Sequence, residues 1–285
     1  MGRKLVIQGA DFSANGIVIP MTIKIKAGQS TVINGTTYSG GANGEFYELD
    51  AFPTTFHESS AVTYLEQATI SSDDFTLKDG YFQYQQGLEK VSFLASAINT
   101  TNDLKTTFMY CTNLTEIVGL DKLDTSGVVN MSQMFRSCSK LTSLDVSHFD
   151  TSAVTTFSNM FAGCKVSSLD LSSFDTSNAT DMSRIFSGCD SLQTLVLGED
   201  FDLVGKTVTD LFYFTNKLAS IVAPNCLSTD YGTANTQLMA LVNAIQGSGY
   251  NSNRNANPLV ITCGDGKTVT GTYVHGSGCT WAVSS

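Results

Sequence analysis

Aspartates that recur at one position are the best candidates in this sequence for metal chemistry. Asp124, Asp150 and Asp175 each precede a Thr-Ser pair, and Asp202 follows Phe201 in the same sense. If the chain stacks these positions about 5 Å apart, the carboxylates repel unless cations or hydrogen bonds offset the charge. A row of calcium contacts is one interpretation, because hard cations prefer carboxylate oxygens. We favour the other interpretation, in which each Asp caps its own turn.

The remaining candidates do not form a catalytic set. His148 and Asp150 suggest part of a hydrolase triad, but Asp150 belongs to the recurring turn and His148 stands where the next repeat has Ser173. The run Gly264-Asp265-Gly266-Lys267-Thr268 resembles the end of a phosphate-binding loop, yet the position that needs the first glycine is Ile261. The sequence predicts no catalytic residue, no metal site and no cofactor, and therefore a protein that is not an enzyme.

Binding of a partner is the better prediction. One outward-facing position of a repeated strand forms a ladder along the stacked chain, and solenoid proteins bind extended partners on such a face. The alternative is a solvated face covered by neighbouring domains. The predicted partner-binding residues are Ser92, Val118, Asp145, Asp170, Val196 and Val222.

Exposed tyrosines would offer a different surface. A row of them suggests a platform for a glycan, although packing between coils explains the same residues better. The four candidates are Tyr81, Tyr84, Tyr110 and Tyr213.

The elements that must position these side chains repeat about every 26 residues. Each repeat has a phenylalanine, and the six are Phe82, Phe108, Phe135, Phe161, Phe186 and Phe212. Four repeats carry a cysteine three residues later, and these are Cys111, Cys138, Cys164 and Cys189. Intervals of 27, 26 and 25 residues between the cysteines are unlike zinc-ligand spacing. We therefore interpret the cysteines as small thiols buried between coils.

A single coil of this kind cannot bury its apolar face alone, so the pattern predicts an α+β solenoid of about six coils. Leu-x-x-Leu-Asp-Leu predicts a strand of a parallel sheet, and Asp-Thr-Ser predicts a turn. Met182, Ile185 and Phe186 predict one face of a short helix that ends at Gly188. A seventh coil, beginning near Phe56, would extend the same spacing forward.

Three regions follow from this reading: a β-rich module over residues 1–55, the solenoid over 56–225, and a C-terminal cap over 226–285. In the first region, Asn34-Gly35 predicts a hairpin turn and residues 36–44 predict a loop. The cap should combine a helix carrying Leu238 to Ile245 with a hairpin around Gly264 to Lys267. Cys263 and Cys279 flank that hairpin and could form a disulfide.

Composition narrows the class of partner. The formal net charge of the 285 residues is −10, and no run of Lys or Arg offers a surface for nucleic acid or for an anionic membrane. No apolar stretch is long enough to predict a membrane-spanning helix. The apolar run after Arg3 and Lys4 is too short for a signal-peptide core.

The pattern LxxLDLSxFDTSxxTxMxxMFxxC, over about residues 80–222, resembles the BspA-type leucine-rich repeat of bacterial surface proteins. This resemblance implies a leucine-rich-repeat solenoid at the cell surface or outside the cell, where it mediates adhesion or recognition of a protein partner. A glycan is a second possible partner. Residues 9–17 also resemble the openings of prophage-related proteins, which implies the alternative of a phage structural or host-recognition protein.

Overall fold

The computed structural model describes residues 3–5, 21–33, 36–49, 53, 65–247, 258–274 and 278–284. Most of this described chain winds into a β-solenoid of about six turns, with short strands and many tight turns. Its helix is α1 (Gln237–Gly247), and two 3₁₀ turns span Leu120–Lys122 and Ser228–Asp230. The strands are β1 (Arg3–Leu5), β2 (Met21–Ile25), β3 (Ser30–Ile33), β4 (Thr36–Ser39), β5 (Glu45–Leu49), β6 (Leu65–Ile70), β7 (Thr76–Leu77), β8 (Lys90–Phe93), β9 (Asn99–Thr100), β10 (Glu116–Val118), β11 (Ser168–Leu171), β12 (Thr194–Leu197), β13 (Ser220–Ala223), β14 (Leu259–Cys263), β15 (Thr268–Val274) and β16 (Gly278–Val283).

A stack of phenylalanine rings runs through the core and gives each coil its number. Coils 1 to 6 contain Phe82, Phe108, Phe135, Phe161, Phe186 and Phe212, and all six side chains are buried. Neighbouring ring centroids lie 5.3–6.3 Å apart with the planes nearly parallel. The sequence register of the repeat is therefore confirmed over these six coils.

The cysteines three residues after these rings bind the coil before them. Cys111 donates its thiol hydrogen to the carbonyl of Phe82 at 3.0 Å, and Cys164 donates to Phe135 at 3.0 Å. Each of these carbonyls also accepts a backbone N–H of its own turn, so the thiol uses the second lone pair. Burial raises the pKa of the Cys111 thiol well above its ordinary value. The predicted ladder of buried thiols is present.

The short helices predicted after the Asp-Thr-Ser turns are wrong. That side of each coil is a run of tight turns, which we call the turn face. In coil 3, Gln133 and Ser137 have φ near 60° and 61°, and turns close from Met134 to Met131 and from Cys138 to Phe135. A positive φ at the third residue is what a type II turn requires. Alternate N–H groups are then free to bond the next coil.

The turn face repeats in every coil. Two positions four residues apart have positive φ in all six coils, namely 80 and 84, 106 and 110, 133 and 137, 159 and 163, 184 and 188, and 210 and 214. Gly188, predicted to end a helix, and Gly163 at the equivalent position do adopt the left-handed conformation, but they lie in turns instead.

The opposite side of the coils, which we call the sheet face, carries parallel strands. β10 pairs with β8 and places Val118 beside Ser92. β12 pairs with β11 and β13, which aligns Asp170, Val196 and Val222. Residues 142–146 of coil 3 form no strand, so the strand predicted at Leu144 to Val146 is wrong and the column divides into two sheets.

The Asp-Thr-Ser turns hold the coils together between these two faces. Asp150 Oδ1 accepts the backbone N–H and the hydroxyl of Ser152, and Asp175 Oδ1 accepts the N–H of Ser177. The buried Thr151 hydroxyl lies between coils, where it accepts the N–H of Asp175 and donates to the Asp175 carbonyl at 2.9 Å each. The aspartates therefore cap their own turns, as favoured from the sequence.

Antiparallel strands precede the solenoid. β5 lies between β1 and β2, β2 pairs with β6, and β3 pairs with β4 as a hairpin across positions 34 and 35. The loop predicted over residues 36–44 is therefore wrong for Thr36–Ser39, which is β4. β6 adds a parallel strand before β8, but Ala68 rather than Leu65 faces Val91, so the seventh-coil register is also wrong. Residues 54–64, with Phe56, lie outside the described residues.

The other end of the solenoid carries α1 and three strands. β14 continues the parallel column after β13, and β15 and β16 follow it antiparallel. Buried Leu238, Leu241 and Ile245 lie on α1. Cys263 and Cys279 are free thiols. They lie on β14 and β16 with β15 between them, so two strand spacings of about 4.8 Å separate them beyond the ~7 Å limit for a disulfide.

Candidate functional site

The predicted ladder lies on the sheet face, but its members are not equivalent. Ser92 is 7% exposed and so has little surface for a partner. Asp145 and Asp170 are exposed, Val118 and Val196 are half-buried, and Val222 is 38% exposed. The two acids are the predicted members that the structure brings together, because both line one cleft.

This cleft, which we call the sheet cleft, has a volume of about 570 Å³ where the column divides. Its walls are β10 with the following turn, residues 143–148 of coil 3, and β11. Within the described residues, no backbone hydrogen bond joins residues 142–146 to β10 or β11. The two strands therefore each present an unpaired edge toward the gap.

Coil 2 explains one wall of the sheet cleft. Gly119 follows Val118, at the position that Phe93 holds in coil 1. A Cβ on Gly119 would lie 2.2 Å from the Phe93 carbonyl oxygen, and Gly119 has φ of 78°. Only glycine suits both constraints. The chain then enters the 3₁₀ turn Leu120–Lys122, which shortens the strand and forms the rim of the cleft.

The rim of the sheet cleft is acidic and its floor is apolar. Ile117 and Leu144, which point toward the core, are only partly buried here and line the cleft. The acids on its walls are Glu116, Asp121, Asp145 and Asp170. Glu116 forms an ion pair of 2.7 Å with Lys90, which leaves the charges of Asp145 and Asp170 without a lysine or arginine partner in the described chain.

Asp145 is held ionised and oriented. Its Oδ1 accepts the Ser147 hydroxyl at 2.7 Å and the Ser147 N–H at 3.0 Å. The hydroxyl bond is the main cause that lowers the pKa of Asp145, followed by the N–H. His148 Nδ1 lies 3.2 Å from the Ser147 Oγ. Since the Ser147 hydrogen is directed at Asp145, this group does not have the arrangement of an activated nucleophile.

The other sequence candidates have structural contacts. Asp150 bonds Ser152 rather than His148. Asp265, in the turn that resembled a phosphate loop, accepts the Ser228 hydroxyl at 2.6 Å and so ties the β14–β15 turn to the 3₁₀ turn Ser228–Asp230. No group of three or more His, Cys, Asp or Glu side chains suited to a metal occurs in the described chain.

The four tyrosines differ in how far their side chains are exposed. Tyr81 is buried, with its hydroxyl donating to the Pro53 carbonyl at 3.1 Å. Tyr84 is 45% exposed and stacks on Tyr110, with centroids 5.3 Å apart, and Tyr213 is 41% exposed. Packing between coils therefore accounts for Tyr81 and for the stacked pair Tyr84 and Tyr110, whereas Tyr213 packs on Phe214 of its own coil.

Comparison with known protein families gives a match that lies within the solenoid. Residues 100–222 match a family model described as Mycoplasma protein of unknown function, DUF285. The matched segment begins in coil 1, includes coils 2 to 5 and ends at Val222 in coil 6, so it contains the whole sheet cleft. No curated protein matches the chain, and no solved structure matches it. The longest described helix, α1, has 11 residues, which is too short to cross a bilayer.

Proposed function

We propose that this chain is a non-enzymatic BspA-type leucine-rich-repeat protein that binds a protein partner at the bacterial cell surface or outside the cell. The observation that carries the proposal is the break in the sheet face. A regular solenoid column would present a closed sheet, whereas this one presents a cleft with two unpaired strand edges, an apolar floor and an acidic rim.

These features fit an extended segment of a partner protein. Unpaired strand edges offer backbone donors and acceptors to an added strand. The partly buried Ile117 and Leu144 offer apolar contacts, and Asp145 and Asp170 favour Lys or Arg side chains on the partner. The repeated pattern from coil 1 to coil 6 supports the resemblance to the surface repeat, and its Asp, Thr and Phe positions all have structural contacts.

Charge reversal tests the binding face. The double variant Asp145→Lys with Asp170→Lys should lose at least about ten-fold in affinity for a captured surface protein, measured by biolayer interferometry. Glu199→Lys with Asp200→Lys is the matched control, because both residues are exposed and neither lines the sheet cleft. Equal binding by both double variants would contradict the proposed face.

Location is tested separately. An antibody against the protein should label intact cells of the native strain, and external protease should remove the signal. Confinement of the protein to the cytoplasm, or its recovery only with induced phage particles, would overturn the surface proposal and favour the phage alternative.

A further inference from the structure

The turn face has a cleft of its own, with a chemistry opposite to that of the sheet cleft. It has a volume of about 710 Å³ and spans coils 3 to 6. The long polar and aromatic side chains that line it are Gln133, Arg136, Asn159, Arg184, Asp210 and Tyr213. The whole chain has four arginines, and two of them line this one cleft. Asp210 lines the cleft as well, so two arginines and one aspartate give its lining a net charge of +1 in a chain of net charge −10.

The two arginines differ in how they are engaged. Arg184 is held by Asp210, whose Oδ2 accepts Nε–H at 3.1 Å and Nη2–H at 2.9 Å. Arg136 forms no ion pair with any described residue. One of its Nη1–H groups donates to Gln133 Oε1 at 2.8 Å, and the guanidinium lies 5.7 Å from the Tyr110 ring centroid. Most of the five donors of Arg136 therefore remain for an anion, in the fork that suits a carboxylate.

Amide side chains stand beside this fork on strained backbone. Gln133, Asn159 and Arg184 occupy the first positive-φ position of coils 3, 4 and 5, with φ of 60°, 58° and 58°. Glycine fits this position without strain, and Gly80 occupies it in coil 1. Thr106 and Asp210 have the same conformation in coils 2 and 6, so the turn imposes it and only the side chain at this position differs between coils. The amides offer donors and acceptors for hydroxyl groups.

Aromatic faces flank the same cleft. Tyr213 lines it and is 41% exposed, and its ring lies 4.1 Å from that of Phe214, which is 51% exposed. The apolar face of a sugar ring packs on such aromatic faces, while its hydroxyls bond nearby amides. A protein partner would instead need an apolar anchor pocket, and a nucleic acid would need many more cations than two arginines.

We propose that the turn-face cleft binds an acidic sugar residue of a surface glycan. The sugar carboxylate forms the forked pair with Arg136, the hydroxyls bond Gln133 and Asn159, and the ring packs on Tyr213. This site lies on the other side of the coils from the sheet cleft and does not depend on the protein partner proposed there.

Isothermal titration with defined oligosaccharides tests this site. The probes are a sialylated trisaccharide and a hyaluronan tetrasaccharide, each compared with a neutral oligosaccharide of equal length. We expect one acidic probe to bind at least ten-fold more tightly than its neutral counterpart. Arg136→Gln should remove that difference, and Tyr213→Ala should weaken binding at least five-fold. Lys26→Gln, which removes an exposed charge in the N-terminal module, should bind as wild type.

Three outcomes would overturn the proposal. The first is equal affinity for acidic and neutral probes, and the second is unchanged binding by Arg136→Gln with an unchanged thermal midpoint. The third is Arg136-dependent binding of an acidic peptide without binding of any acidic sugar, which would assign the cleft to a protein. Failure of this glycan proposal would not affect the proposed protein recognition, because the sheet cleft is tested by its own charge-reversal variants.

Discussion

The turn face and the sheet face are built by the same six coils, yet only one of them is continuous. On the turn face, N–H groups of every coil bond carbonyls of the next coil from Gly80 to Tyr213. On the sheet face, the corresponding column stops at β10 and resumes at β11. Coil 3 takes part in the first column through Met131 to Ser137 and leaves the second at residues 142–146.

This difference in continuity shows which face of the solenoid fixes the stacking of the coils. The turn face combines the phenylalanine stack, the thiol donors and the inter-coil ladder, so coils 2 to 5 are each held there in three ways. The sheet face is held by its strand pairing, and it opens where residues 142–146 of coil 3 form no strand. The continuous face therefore sets the coil stacking, and the interrupted face is free to carry a cleft.

The largest expected effect lies on the continuous face. Phe135→Ala removes a ring from the middle of the stack and leaves a cavity in a region with little room to collapse. We expect a loss of about 3–5 kcal/mol in the free energy of unfolding, measured by urea denaturation. Val222→Ala, on the sheet face and 38% exposed, is the control and should cost far less. Similar losses in the two variants would remove the distinction between the faces.

A matched leucine pair compares a closed part of the sheet face with the open part. Leu169 in β11 is 2% exposed, whereas Leu144 of coil 3 is partly exposed at the equivalent position. Leu169→Ala should lower the free energy of unfolding by about 2–4 kcal/mol. Leu144→Ala should lower it by less than half of that, because a partly exposed side chain loses less apolar burial and packing. Equal unfolding midpoints in urea would mean that coil 3 is as closed in solution as coil 4.

The bond that spans coils 3 and 4 beside the gap gives a third test. Thr151→Val keeps the shape of the side chain but removes both hydrogen bonds to the Asp175 backbone. Leaving these partly buried backbone groups without partners should lower the free energy of unfolding by about 1 kcal/mol. Thr155→Val is the control, since Thr155 is exposed and makes one bond, to the Val129 carbonyl. If Thr151→Val left the free energy of unfolding unchanged, the turn face alone would hold these coils together.

The buried thiols predict a smaller effect that depends on pH. Burial raises the pKa of Cys189 to about 12, against an ordinary value of 9.0. Below pH 9 both states keep the thiol protonated. Above it the unfolded chain ionises first, so the stability that the neutral thiol contributes declines as pH rises toward 12. Between pH 8 and 10, wild type should lose about 1 kcal/mol more than Cys189→Ala in the free energy of unfolding.

Thiol trapping gives an independent check of the same ladder. Among the cysteines, Cys279 is half-buried and the others are buried. A thiol reagent at pH 8 should therefore label Cys279 in the native protein and all seven cysteines in denaturant. Rapid native labelling of Cys138 or Cys164 would contradict a closed turn face.

The sequence was sufficient for the register of the solenoid because Phe and Cys recur at fixed positions and have one structural role each. It misled about the turn face, since Met131, Met134 and Phe135 show the i, i+3, i+4 spacing that a helix also gives. The signal that distinguishes the two was present. Gly80 lies at the position of Arg184, inside the supposed helix, where a helix would disfavour glycine.

The candidate site was predictable only in part. Alternation in the strand pattern placed Asp145 and Asp170 on the exposed face, and the structure brings them into one cleft. The gap itself is a loss of strand pairing between coils 2, 3 and 4, and the local pattern of coil 3, which matches that of its neighbours, does not encode it. The turn-face cleft was missed because Arg136 and Arg184 are 48 residues apart in sequence and no repeat position links them.

The inter-coil bonds of the turn face also give the solenoid an electrical direction. In coil 3 the carbonyls of residues 130, 132, 134 and 136 accept from coil 2, and the N–H groups of residues 131, 133, 135 and 137 donate to coil 4. Four peptide dipoles of about 3.5 D in that coil therefore point the same way along the solenoid axis. The same direction is kept from coil 1 to coil 6, so the dipoles add as they do in an α-helix. The N-terminal end of the turn face is thus the negative pole of the stack, and the C-terminal end is the positive pole.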